Sequence, residues 1–129
     1  MKYYLSLALV LLLLSCKNEK KVEIEDTAVE AITYDISIEE LIRNKEKYGN
    51  QTVRLKGEVS KYNPNIMNIN WIHINDGTSF NSKSDVTATS TTSVKLGDTI
   101  SIEGKVTLDK NFGSGYIYGI LIENATITK

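Results

Sequence analysis

The sequence has few of the side chains on which catalytic and metal sites depend. Cys16 is the only cysteine and His73 the only histidine among 129 residues, whereas zinc sites use three or four histidine, cysteine or carboxylate ligands. The chain also lacks a nucleophile elbow, a phosphate-binding glycine loop and a paired-carboxylate motif. These absences predict a protein that is not an enzyme and that uses neither a metal nor another cofactor.

An excess of charge of either sign is also missing. The chain carries 15 lysine and arginine residues against 16 aspartate and glutamate residues, a formal net charge of −1. Proteins that bind nucleic acids usually present a strongly basic face to the phosphate backbone. The charge balance therefore disfavours nucleic acid as a partner.

The first sixteen residues have the layout of a bacterial export signal. Lys2 provides a positive start, residues 5–14 form an apolar run, and Ser15 leads directly into Cys16. The run is shorter than the roughly 20 residues of a transmembrane helix, and the order of features is that of a removable signal peptide. The segment resembles the lipobox of bacterial lipoproteins. In that family the signal is cleaved before the cysteine, which then carries acyl chains.

The lipobox resemblance implies a location for the protein and excludes the reactions that need a free thiol. Residues 1–15 would be the signal peptide, and the lipidated (palmitate-bearing) Cys16 would anchor the protein to a membrane of the cell envelope. Lys17 stands where an acidic residue is linked to inner-membrane retention, which favours the outer membrane. Lipidation would also use the only thiol, leaving none for a disulfide or a nucleophile. An ordinary buried cysteine is the alternative, but its place after an apolar run disfavours it.

The mature chain divides into a tether and one small domain. We expect residues 16–34 to be the lipidated cysteine and a flexible tether. Charged side chains are frequent there and valine and isoleucine are scattered, so the segment cannot bury enough apolar surface to fold. Removing Lys2 with the signal leaves 14 basic against 16 acidic side chains. Residues 35–129 would form the domain, a length that supports a single small core.

A short helix is expected over residues 37–48. Ser37 and Glu40 have the spacing of a capping box, in which each side chain bonds to the other residue's backbone amide. Apolar side chains three and four residues apart share one face of this helix: Ile38, Leu41 and Ile42. Gly49 would end it.

After the helix, apolar and polar residues alternate, which predicts strands. We expect five, over residues 53–60, 69–75, 85–91, 100–108 and 116–127, with breaks at residues 62–65 and at Asp76-Gly77. Gly57 and Gly104 fall within strands, where glycine often marks a tight bend. One short helix before five strands predicts a mainly β domain, a small OB-like barrel. An SH3-like barrel or an open sandwich is the alternative.

From residue 37 onward the chain resembles a group of small exported bacterial OB-fold proteins. The motifs that carry the resemblance are Lys56-Gly57-Glu58-Val59, Ile66-Met67, Asn70-Trp71-Ile72-His73, Asp76-Gly77-Thr78, Gly97-Asp98 and Phe112-Gly113-Ser114-Gly115-Tyr116. The resemblance implies an OB fold of the nucleic-acid-binding-like type without implying an activity. Asn68-Ile69 departs from the expected Gly-Arg pair, which removes a basic group that could meet an anion.

The only tryptophan and the only histidine, Trp71 and His73, are two residues apart and share one side of their strand. If Ile72 and Ile74 form the core, Trp71 and His73 lie on the outer face, where OB-folds bind ligands. Trp71 could then stack on a base or a sugar ring. In the alternative, Trp71 packs inward or beneath a loop and His73 is structural. The pattern leaves both open.

These observations predict a lipid-anchored binding module for an envelope protein, a glycan or a small ligand. The candidate ligand-binding residues are Trp71, His73, Asn70, Met67, Lys110, Phe112 and Tyr116. Two other functions stay open. The aromatic residues could bind a single-stranded oligonucleotide, and a His73–Met67 pair could serve an exported haem or redox pathway.

Overall fold

The computed structural model describes residues 30–129. The predicted signal peptide, Cys16 and most of the predicted tether lie outside the described residues. The described part is mainly β, as predicted, with six strands and two short helices. The elements are β1 (Thr33–Asp35), α1 (Ile38–Arg43), α2 (Lys45–Tyr48), β2 (Thr52–Ile66), β3 (Ile69–Phe80), β4 (Lys83–Ser90), β5 (Thr99–Asn111) and β6 (Ile117–Thr128).

The predicted helix of residues 37–48 forms as two helices. Ser37 caps α1 as predicted, because its Oγ accepts a hydrogen bond from the Glu40 amide at 3.1 Å. The Glu40 carboxylate does not complete the capping box, since it accepts hydrogen bonds from Tyr48 Oη at 2.7 Å and from Asn44 Nδ2 at 3.0 Å. Asn44 has a non-helical backbone and separates α1 from α2. Asparagine favours such positions because its side chain competes with helical hydrogen bonds.

Further capping bonds fix the start of α1 to the far end of β3. The Ile38 amide donates to Asp76 Oδ2 at 2.9 Å, and the Glu39 amide donates to Thr78 Oγ1 at 2.9 Å. Partial burial raises the pKa of Asp76, but hydrogen bonds from Thr78 and Ile38 outweigh it and hold the pKa below its ordinary value. With its start held, α1 buries Ile38 and Leu41 completely.

Five of the six strands close into a ring of hydrogen bonds. The pairing order is β1-β2-β3-β4-β6-β5, and β2 also pairs with β5. The β4–β6 pairing is parallel and is confined to Thr87 with Leu121 and Ala88 with Ile122. The other pairs within the ring are antiparallel. A single core fills the ring and is covered by α1 and Tyr48.

The first strand was not predicted, because Thr33 and Tyr34 fall within the expected tether of residues 16–34. Both residues belong to β1, which pairs in parallel with the start of β2. Three residues are too few for an alternating pattern to be visible. The position of β1 depends instead on the edge that β2 offers and on the Tyr34 ring, which lies 5.5 Å from the Tyr48 ring.

Three of the predicted strand ends are wrong: β5 continues three residues further, to Asn111, and irregular pairing carries β2 and β3 past their predicted ends. β2 continues through residues 62–65 to Ile66, with register shifts between Val59 and Lys61 and between Asn63 and Ile66. β3 likewise continues past Asp76-Gly77 to Phe80. Bulges accommodate proline and glycine that an evenly paired strand excludes. β4 also begins two residues earlier than predicted, at Lys83.

A sharp change of partner in β2 explains the glycine within this strand. Residues 52–58 of β2 pair with β5, whereas Glu58 to Ile66 pairs with β3. A Cβ at Gly57 would lie 2.7 Å from the Asn75 carbonyl oxygen, closer than any side chain allows. The glycine therefore lets β2 and β3 approach where the ring bends.

Candidate functional site

Trp71 lies outside the core although it is buried. Ile72 and Ile74 are fully buried within the core, so the opposite side of β3 carries Trp71 and His73. The Trp71 side chain is nevertheless only 6% exposed, and its Nε1 donates to the Ile66 carbonyl at 2.9 Å. Both sequence interpretations were therefore partly correct: the isoleucines form the core, and a loop covers the tryptophan.

Three aromatic rings form a cluster at this end of β3. Trp71 stacks on Tyr118, with ring centroids 5.4 Å apart and planes inclined by 30°. Phe112 meets both rings edge-on, at 5.3 Å from Trp71 and 5.8 Å from Tyr118. Such pairs contribute about 0.5–1.5 kcal/mol each beyond burial. The rings therefore hold each other in fixed orientations.

The cluster is the floor of an open groove of about 410 Å³, which we call the aromatic groove. Its lining residues are Asn63, Ile66, Met67, Trp71, Phe112, Tyr116 and Tyr118. The turn between β2 and β3 forms one wall, and the loop between β5 and β6 forms the other. Exposed apolar side chains surround it, with Met67 61% exposed and Tyr116 70% exposed. An apolar concavity with exposed apolar walls is a typical small-ligand or partner site.

The turn that carries Met67 is tightly constrained. Met67 and Asn68 are the two residues between paired Ile66 and Ile69, and both have positive φ, 54° and 61°. Positive φ at both central positions is the requirement of a type I′ hairpin. Asparagine tolerates this conformation, but a long side chain such as methionine rarely adopts it. The turn therefore presents the Met67 thioether at the groove despite a local backbone cost.

The lining of the groove contains no charged side chain. Lys110, the nearest candidate cation, has its Nζ 5.7 Å from the Phe112 ring and 3.3 Å from Glu123 Oε1. The hydrogen bond from Thr107, aided by Lys110, outweighs burial and lowers the pKa of Glu123. Lys110 is thus neutralised by an ionised partner beside the groove.

The structure brings four of the seven candidate residues together, places a fifth beside them and separates the other two. Met67, Trp71, Phe112 and Tyr116 line the aromatic groove, and Lys110 lies next to it. The other two are Asn70 and His73. Asn70 Oδ1 accepts from the Asn65 amide at 3.0 Å and its Nδ2 donates to the Thr92 carbonyl at 3.1 Å. His73 lines a different cavity, with its Nδ1 2.7 Å from Asp85 Oδ2.

Three lining residues were absent from the candidate residues: Asn63, Ile66 and Tyr118. Tyr118 supplies the ring on which Trp71 stacks, and its place two residues after Tyr116 in an aromatic-rich segment was the available signal. Asn63 is the one side-chain amide in the lining. It stands in a segment interpreted as a break between strands, which hid its position on β2.

Residues 30–129 contain neither a cluster of metal ligands nor a membrane-spanning helix. No group of three or more histidine, cysteine, aspartate or glutamate side chains there is placed to hold a metal ion. Met67 and His73 line separate cavities. No helix in this range is long and apolar enough to span a bilayer.

Comparison with protein-family models and with curated proteins gave no match to this chain.

Proposed function

We propose that the domain is a non-catalytic OB-type binding module that takes an uncharged, largely apolar ligand in the aromatic groove. The order of the ring, β2-β3-β4-β6-β5 with β2 paired to β5, supports an OB-type assignment. An OB-fold is a five-stranded, partly open Greek-key barrel. The two-residue pairing of β4 with β6 is in keeping with partial opening.

The location of the groove is the observation that carries the proposal. Counting from β2, its walls are the loop between the first and second strands of the ring and the loop between the fourth and fifth strands. These are the two loops that OB-folds use to bind ligands. The groove thus combines a recurrent binding position with exposed apolar side chains from both loops.

The chemistry of the lining defines the ligand class. Because no charged group faces the groove, an ionic ligand would lose hydration without gaining a partner. The Asn63 amide and the phenol of Tyr116 can bond to a hydroxyl or carbonyl, while Met67 adapts to an irregular apolar shape. A small aromatic molecule, the apolar face of a sugar ring, or an apolar side chain of an envelope protein has this chemistry.

The covered position of Trp71 alters the roles expected of the candidate residues. With 6% exposure, its ring supports the floor of the groove and is not free to stack on a ligand. Exposed Tyr116 and Met67 are the side chains that would touch the ligand first. His73 and Asn70 take no part in this site.

The two other functions are less well supported by the groove. Oligonucleotide binding requires a basic groove together with stacking aromatics, and the aromatic groove lacks basic lining. A haem held by His73 and Met67 would require both side chains in one cavity, but they line two. We therefore favour the uncharged ligand.

Benzyl alcohol and a neutral trisaccharide are suitable probes, since both are uncharged. The single indole N–H of Trp71 gives one NMR signal beneath the groove, and we expect it to shift saturably with at least one probe. Met67→Gly and Tyr116→Ala should weaken that response. Met67→Gly also removes the positive-φ cost, so reduced binding would not reflect unfolding.

Leu96→Ala is the matched control, because Leu96 is 68% exposed and apolar but does not line the groove. It should bind as the parent does. An indole signal that neither probe moves would contradict the proposal. Equal binding by the groove variants and the control would contradict it as well.

We also propose that Cys16 is lipidated and anchors the module in the cell envelope. The support is the layout of residues 1–16, and several acyl chains together would anchor stably. Cys16→Ala should abolish incorporation of labelled palmitate and release the protein from the membrane fraction. Ser15→Ala retains a small residue before the cysteine and should keep the label. Unchanged labelling of Cys16→Ala would refute the assignment.

A further inference from the structure

The cavity beside His73 is separate from the aromatic groove and has different chemistry. It has a volume of about 550 Å³ and lies between the helices, the β3–β4 hairpin and the start of β6. The cavity exists because β4 and β6 pair only at Thr87 and Ala88, so the two strands separate below that point. We call it the His73 cavity.

One ring nitrogen of His73 forms a close hydrogen bond to a side chain of the protein, and the other forms only a long one. Its Nδ1 lies 2.7 Å from Asp85 Oδ2, so the Nδ1 proton is donated to the carboxylate. Its Nε2 lies 3.5 Å from Thr87 Oγ1, a separation at the outer limit of a hydrogen bond. The side chain is 20% exposed and lines the cavity. Nε2 therefore keeps hydrogen-bonding capacity for a ligand.

Cationic side chains surround the same cavity. Arg43 is occupied, because it pairs with Glu39 and its guanidinium carbon stands 4.5 Å over the Phe80 ring. Lys45 and Lys83 also line the cavity, and within residues 30–129 neither forms an ion pair. Of the carboxylates lining the cavity, Asp85 is engaged by His73.

Glu46 is the remaining carboxylate in the lining. Within residues 30–129, Glu46 has no ion-pair partner either. The cavity therefore has two lysines and one carboxylate in its lining that are unpaired within this range. An anionic group between the lysines would meet two cations that no carboxylate of residues 30–129 pairs with. The lysines reach it from α2 and from the β3–β4 hairpin, two elements far apart in sequence.

Apart from Asn81 and Thr87, the rest of the lining has no polar side chain. Ile42 from α1, Val86 from β4 and Ile120 from β6 form an apolar surface beneath the charged rim. We propose that the His73 cavity binds an organic anion whose apolar body lies on these residues. Its carboxylate or phosphate head would meet Lys45 and Lys83 beside His73. This proposal is independent of the ligand of the aromatic groove.

Butyrate and butyl phosphate provide two anionic heads on one apolar body, and n-butanol is the uncharged match. The full chain is kept in neutral detergent micelles at pH 7. The imidazole signals of His73, the only histidine, report on this cavity, while the Trp71 indole signal reports on the aromatic groove. We expect saturable shifts of His73 with an anion and much smaller ones with n-butanol or acetate.

The double variant Lys45→Gln/Lys83→Gln tests the head-group contacts without altering the core. Removing one half-buried and one exposed charge should weaken binding about five- to thirtyfold. Lys61→Gln, an exposed lysine outside the cavity, should bind as the parent does. A dispersed amide spectrum confirms that each variant is folded.

Three results would overturn the proposal. One is the absence of a saturable His73 shift with either anion. Another is equal binding by the lysine double variant and Lys61→Gln. The third is a response to n-butanol as large as that to butyrate. A stronger response to butyl phosphate than to butyrate would support the site and identify a phosphate ester as its ligand class.

Discussion

Asp76 connects the end of β3 to the start of α1, and its replacement should reveal how strongly that connection stabilises the domain. Its carboxylate accepts hydrogen bonds from the amides of Ile38 and Thr78 at 2.9 Å and from the Thr78 hydroxyl. Asp76→Ala removes all three bonds at once. The Ile38 amide, at the start of a helix whose first residue is buried, then has no partner nearby.

The expected loss can be worked out from these contacts. Loss of a helix-capping side chain costs about 1 kcal/mol, and a hydrogen bond to a charged group contributes about 1.5–3 kcal/mol. Asp76 is partly exposed, so solvent compensates for some of this. We expect Asp76→Ala to lower the free energy of unfolding by about 2–3 kcal/mol. For a domain of this size, that lowers Tm by roughly 10–20 °C.

The pH dependence of the free energy of unfolding distinguishes the contribution of the Asp76 charge from that of its shape. The pKa of Asp76 is lower in the folded protein than its ordinary value. As pH falls below about 4, the unfolded chain therefore takes up the proton first, and the stability from the ionised form is lost as pH falls further through the folded pKa. Asp76→Asn keeps one acceptor oxygen and cannot ionise. The stability difference between parent and Asp76→Asn should be largest at neutral pH and should shrink in acid.

Urea unfolding followed by far-ultraviolet circular dichroism at pH 7 and at pH 3 measures both effects. Glu46→Gln is the control, because it also removes one negative charge but from an exposed residue on α2. It should change stability little at either pH. Equal stability of Asp76→Ala and Glu46→Gln would refute the capping argument. A parent-to-Asn difference that stays constant with pH would refute the electrostatic part.

Two further substitutions test packing where strands approach closely. Gly57→Ala should destabilise the domain by about 1–3 kcal/mol, because its Cβ would meet a β3 carbonyl oxygen at 2.7 Å. Gly119→Ala is the control and should not destabilise the domain, because no atom lies within 4 Å of its Cβ. Equal thermal stability of the two variants would contradict the prediction. Ser90 is 1% exposed and donates to the Ala125 carbonyl at 2.7 Å. Ser90→Ala should therefore cost about 1–3 kcal/mol in urea unfolding. Ser93→Ala, on an exposed residue, is its control, and a loss no larger than that of the control would show that the buried bond contributes little.

The local signals in the sequence were sufficient to predict a mainly β domain. Alternating apolar residues identified the five strands of the ring, and Ser37 marked the start of the first helix. Each of these depends on neighbours within a few residues. The strand ends and β1 were not predictable in the same way, because bulges and the pairing of a three-residue strand depend on a partner strand far along the chain.

The candidate site shows the same division between local and long-range causes. Alternation along β3 by itself determined that Trp71 and His73 share one side of the strand, and the aromatic residues near it were identifiable as candidates. Only the tertiary structure decided that Tyr118 and the β2–β3 turn cover Trp71 and that α1 and α2 frame His73. The contacts of Tyr118 with Trp71 and of the helices around His73 join residues tens of positions apart, so no short pattern encodes them. Two side chains adjacent on one strand therefore belong to two different cavities.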